Sequence, residues 1–179
     1  MDIRLIEDRI NSIEASEFQD FCDRMLLRLY PKDYTPVRAG GRNGDMKNDG
    51  YCFVERIFFQ AHATRGEAAK KTQKKIQKDL EGCLLKQSDV KSFIYITNDT
   101  FIGETETFVD SLRKSYPTVN IETWTPKRIM EKIKDLPEKD IEFIIARNVS
   151  GSSNIFNNFD GSKIINQGTT NIDNQTINY

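Results

Sequence analysis

The residues best suited to chemistry fall in one stretch, Gly40 to Thr64, which reads GGRNGDMKNDGYCFVERIFFQAHAT. Asp45 and Asp49 stand at a glycine-rich approach to a β-prone run. Gln60 and His62, the sole histidine, stand two apart on the apolar run that follows. Side chains two apart on a strand share a face, and a turn between two strands would bring Asp49 close to both. Such an array suits a hard divalent cation held by oxygen ligands, which activates water and polarises a phosphodiester. A polar or cationic neighbour then stabilises the charge that develops. Plainer readings fit the same residues. Asp-Gly and Asn-Gly favour tight turns without any ligand, and a lone histidine on a strand is more often a satisfied core residue than a catalyst.

The elements that must position these groups follow from periodicity. Phe18, Phe21, Cys22, Met25, Leu26, Leu29 and Tyr30 recur at three and four, which predicts a helix over 16–30 ended by Pro31. Ser16 and Gln19 have capping-box spacing. Leu5, Ile6, Ile10 and Ile13 suggest a shorter leading helix. The segment 38–50, with four glycines, is a turn-rich loop. A strand pair at about 51–54 and 57–63 follows, the second apolar enough to be central and buried on both faces. A helix over 66–86 places Ala69, Ile76, Leu80, Cys83 and Leu84 inward and aligns Lys70, Lys71, Lys74, Lys75 and Lys78 in a basic stripe. A strand at 93–97, a helix near 104–115 and a strand near 119–123 come next. Thr125-Pro126 reads as a helix cap followed by proline in the first helical position, and a last short helix ends near Arg147. This alternation predicts a layered α/β sandwich.

Composition sets bounds. The 179 residues suit one domain with an appendage. Lys plus Arg total 26 against 27 Asp plus Glu, a net charge of −1, so attraction to nucleic acid must come from a local patch. Cys22, Cys52 and Cys83 are odd in number and have neither disulfide nor zinc spacing. No signal-peptide run and no stretch of the ~20 apolar residues that cross a bilayer is visible. The expectation is a cytoplasmic protein without membrane contact.

The stretch from Glu17 to Leu80 resembles the restriction-endonuclease-like PD-(D/E)xK superfamily, in the branch where Gln replaces the acidic residue of the last motif. There, a helix bearing an acidic residue precedes a glycine-rich loop ending in Asp-Gly, then a hydrophobic strand ending in Gln-x-Lys, then a helix. The corresponding residues are Glu17 and Asp20 on the helix, Asp49-Gly50, and Gln60-Ala61-His62. The resemblance implies a three-layer sandwich with a central mixed sheet over 1–147 and a Mg²⁺- or Mn²⁺-dependent DNA endonuclease. Asp49 would bind the metal, Gln60 would orient it or its water, and Glu17, Asp20 or Asp45 would add a carboxylate. The lysine stripe would hold the backbone of double-stranded DNA; its plain reading is a solvated helix face. His62 departs from the pattern, because histidine at neutral pH is mostly uncharged where lysine is a fixed cation. A catalytically degenerate copy, acting in binding or self-assembly, is the alternative.

After Arg147 the composition changes. Residues 148–179 hold eight asparagines and three charged residues. Asn, Gln and Ile at short intervals without proline favour β stacking. This β-prone tail resembles the Asn/Gly/Ile-rich segments that follow effector domains in microbial defence proteins, which implies self-association or a partner protein; a disordered end is the plain reading.

Overall fold

The computed structural model describes residues 3–13, 15–37 and 49–146. Eleven elements follow in order: helices α1 (Ile3–Ser12) and α2 (Ala15–Leu29); strands β1 (Tyr34–Pro36), β2 (Gly50–Cys52) and β3 (Ile57–Ala61); α3 (Ala69–Lys86); β4 (Ser92–Ile96); α4 (Gly103–Ser115); β5 (Asn120–Trp124); α5 (Pro126–Ile133) and α6 (Glu138–Ile145). The stripe expected on α2 is the buried one: Phe18, Phe21, Cys22, Met25 and Leu26 are all inside. Ser16 does not cap it. Ala15, a strong helix former, starts the helix one residue earlier, so Ser16 lies within the first turn and the capping box with Gln19 does not apply. Thr125 does occupy the cap position of α5 in extended backbone, with Pro126 in the first turn, although its side chain makes no capping hydrogen bond.

The strands form one mixed, open sheet in the order β1-β2-β3-β4-β5. The first three make an antiparallel meander, whereas β3, β4 and β5 run parallel through crossovers by α3 and α4. The three-residue β1 escapes the sequence reading because it is short and carries Pro36, which a sheet tolerates only where no ladder donor is needed. The expected strand at 51–54 ends at Cys52. The chain turns over 53–56, with Asp33 accepting the Val54 and Glu55 amides at 2.9 and 3.2 Å and Arg56 at φ 57°.

Strand alternation divides the core in two. Phe59, Ile94, Ile96 and Trp124 meet α1, α2, α5 and α6 on one face. Phe58, Phe93, Tyr95 and Ile121 meet α3 and α4 on the other. Each such large side chain contributes roughly 1.5–3 kcal/mol on full burial. Trp124 is wholly buried, its Nε1 donating to Glu122 at 3.0 Å, so it is a core residue. Asp45, the cations Arg38, Arg42 and Lys47, the boundary at 147 and the tail 148–179 lie outside the described residues.

Gly50 is needed for a close approach. The Tyr34 ring lies over it and its hydroxyl donates to Asp23 on α2. A Cβ at Gly50 would meet Tyr34 Cε2 at 2.5 Å and Cζ at 2.6 Å. Gly50→Ala should therefore lower unfolding stability by about 1–3 kcal/mol, as overpacking does. Urea denaturation measures this, and an unchanged midpoint would show that the Tyr34 ring gives way freely.

Candidate functional site

Asp49 continues β2 by one residue. Its amide donates to the Phe59 carbonyl at 2.9 Å, and its carbonyl accepts from the Val37 amide at 2.8 Å. Since Gly50 pairs with Phe59 across the antiparallel ladder, Asp49 comes opposite Gln60. Its Oδ2 accepts from Gln60 Nε2 at 2.7 Å and from the Ala61 amide at 2.8 Å. A carboxylate only accepts, so the Gln60 amide nitrogen faces Asp49 and its Oε1 is turned to another side. Two of the residues predicted to meet thus do meet, and Gln60 is a buried polar group within an otherwise apolar strand.

His62 follows just beyond β3, where its amide donates to the Ile96 carbonyl at 2.9 Å. Its ring is partly exposed and its Nε2 lies 3.4 Å from Glu67 Oε1. Lys71 Nζ reaches the same oxygen at 2.6 Å. Burial pushes the Glu67 carboxyl upward, but the Lys71 hydrogen bond and the pull of His62 and Lys71 outweigh it and hold the group below its ordinary range. By sequence Glu67 is a polar loop residue. Its signal is position, five residues after the only histidine and just before a long helix.

The α2 carboxylates divide. Glu17 forms an ion pair with Arg9 of α1. Asp23 is the acid that feels Asp49. Burial raises it to about 6; the Tyr34 hydrogen bond opposes the rise, while Asp49 and Asp20 add to it. Asp23 escapes a sequence reading because it flanks the apolar stripe beside Cys22, and only the folded approach of Tyr34 and Asp49 gives it meaning. Among the described residues, no three His, Cys, Asp or Glu side chains form a ready-made cation cluster.

Tyr95 completes this corner. It is the register partner of Gln60 on the parallel ladder, so both side chains point to the face covered by α3. It is fully buried, and its hydroxyl has no hydrogen-bond partner. Burial, then the charges of Asp79, Glu67 and Asp49, push the phenol far up, so it remains protonated.

The lysine stripe is two rows rather than one. Lys71 and Lys75 are committed to Glu67 and Asp79. Lys70, Lys74 and Lys78 are exposed, four apart along one face of α3. Where β3 and β4 end, a cleft of about 430 Å³ opens beside Glu67, lined also by Ile13, Ala63, Arg65 and Asn98. Asn98 braces it, accepting from the Thr64 amide at 3.0 Å and donating to the Ile13 carbonyl at 2.7 Å. Comparisons with protein families, with curated proteins and with solved structures find no match to this chain. Among the described residues, no helix is long and apolar enough to cross a membrane.

The raised pKa of Asp23 has a pH signature. Its folded value lies above its unfolded one, so its contribution is greatest below about pH 4 and is lost as pH rises through about 6. Asp23→Asn should therefore gain stability over wild type between pH 4.5 and pH 7.5, by on the order of 1 kcal/mol. Urea unfolding of both proteins at the two pH values measures this. An equal difference at each pH would show that Asp23 titrates normally.

Proposed function

We propose that the domain is a metal-dependent endonuclease-like effector acting on double-stranded DNA, with a restriction-endonuclease-like fold and a role in antiviral defence or restriction. The observation that carries the reading is the grip of Asp49 Oδ2 on Gln60 Nε2 and the Ala61 amide. It joins the acidic residue after the glycine-rich loop to the glutamine of the following strand. The order of helix, three-strand meander, helix, strand, helix, strand agrees with that reading. The donor set suits Mg²⁺ or Mn²⁺, since Asp49 and Gln60 offer hard oxygens and Tyr95, the register partner of Gln60, carries a buried hydroxyl without a hydrogen bond. The cation, when bound, would polarise a phosphate and activate water.

This chain's own groups would do the rest. Asp49 would hold the cation, Gln60 Oε1 would orient it or its water, and Asp23 or Asp20 would add charge from α2 in preference to Glu17. Asp45 keeps its place as a candidate. His62 would take the part of the lysine, with its Nε2 beside Glu67 Oε1. Lys70, Lys74 and Lys78 would contact DNA phosphates. The three buried thiols suit a reducing, cytoplasmic setting.

A second reading has its own observation. With no ready-made cation cluster among the described residues and His62 beside Glu67, the fold also suits a degenerate module that binds or assembles through residues 148–179. Sedimentation of the chain with and without that tail separates the two. Assembly that depends on the tail in a chain that never cuts favours the module.

Plasmid cleavage with Mg²⁺ or Mn²⁺ tests the first reading. Asp49→Asn should cut at least 100-fold more slowly than wild type, the scale lost with a group that stabilises developing charge. Cleavage that survives the substitution removes this mechanism. Replacing Lys70, Lys74 and Lys78 with Gln should weaken DNA binding and flatten its salt dependence by about 0.9 in log–log slope for each phosphate no longer neutralised. An unchanged slope in a DNA-binding titration would leave these lysines as a solvated face.

A further inference from the structure

A buried hydroxyl without a partner demands an explanation, because an unmade hydrogen bond in the interior costs about 1–3 kcal/mol. Tyr95 is such a group, and its surroundings narrow what would satisfy it. Its ring is anchored on the α3 and α4 face with Phe93, Ile76 and Val109, and is tilted by 38° against Phe101 with ring centroids 6.4 Å apart. Its hydroxyl feels the charges of Asp79 and Glu67, which Lys75 and Lys71 offset, and that of Asp49. Carboxylates repel an anionic oxygen, so a phosphate is a poor partner for it. They attract a cation and the polarised waters around it. Register places the ring next to Gln60, whose amide is already turned toward Asp49.

We propose that Tyr95 is a positioning residue for a hydrated divalent cation held at Asp49 and Gln60, its hydroxyl oxygen accepting a hydrogen bond from a cation-bound water. This inference rests on the cation-binding reading of the site. It goes beyond that reading by assigning a role to a residue of β4, outside the stretch that carries the Asp-Gly and Gln-x-His pattern. A cation such as Mg²⁺ retains several waters when few protein ligands reach it. Two or three oxygens from the chain would leave such waters to be held by outer groups, and groups of that kind tune affinity by about 10-fold or more.

The test is Tyr95→Phe in the full 179-residue chain, read by Mn²⁺ titration calorimetry and by thermal unfolding without metal. Phenylalanine keeps the ring and removes only the unsatisfied group. The expected result is crossed: metal-free Tm rises by about 2–4 °C, while Mn²⁺ affinity falls about five- to tenfold. A purely structural hydroxyl, bonded to a permanently buried water, would give the opposite pattern of lower Tm and unchanged affinity, and would overturn the proposal. Asp49→Asn is the second arm. If wild type binds Mn²⁺ and Asp49→Asn does not, unchanged affinity in Tyr95→Phe sinks the role of Tyr95 alone. If wild type binds no Mn²⁺, or Asp49→Asn binds it equally well, the cation reading fails and this inference with it.

Discussion

One carboxylate oxygen organises the region on which the functional account depends. Asp49 Oδ2 takes hydrogen bonds from a side chain and a backbone amide of the neighbouring strand at 2.7 and 2.8 Å. Hydrogen bonds to a charged acceptor contribute more than neutral ones, about 1.5–3 kcal/mol each. They also settle two things at once. They hold the start of β2 in register against β3, and they fix which end of the Gln60 amide faces Asp49. The sheet's alternation does the rest, since Gln60 and Tyr95 lie on one face whereas Phe59 and Trp124 anchor the other.

The electrostatics of the corner have a consistent sense. Asp23, Tyr34, Cys22 and Tyr95 all have their titration displaced upward, burial being the largest cause in each, and Asp49 contributes to all four. On the α3 side, compensation is local: Lys71 and His62 serve Glu67, and Lys75 serves Asp79. Nearly neutral overall charge conceals this separation into an acidic interior corner and an exposed basic row on α3.

What sequence could tell was whatever depends on neighbours along the chain. The apolar stripe of α2, the Thr125-Pro126 start of α5 and the central character of β3 are local patterns, and each has its expected place in the fold. The meeting of Asp49 with Gln60 was legible because a hairpin relates them simply. Asp23, Glu67 and Tyr95 were not, since each acquires its role from a residue brought in by tertiary packing: Tyr34 over Gly50, His62 at the start of α3, and Gln60 across a parallel ladder. β1 was hidden for a related reason. Three residues carry too little periodicity to read, and only pairing with β2 makes them a strand.

The most direct measurement is anomalous scattering from a crystal soaked in Mn²⁺. The expected result is a manganese peak within coordination distance of the Asp49 carboxylate and Gln60 Oε1, with at least one bound water directed to the Tyr95 hydroxyl. Manganese absent from Asp49, while the soak succeeds elsewhere in the crystal, would contradict a cation role for this corner of the sheet.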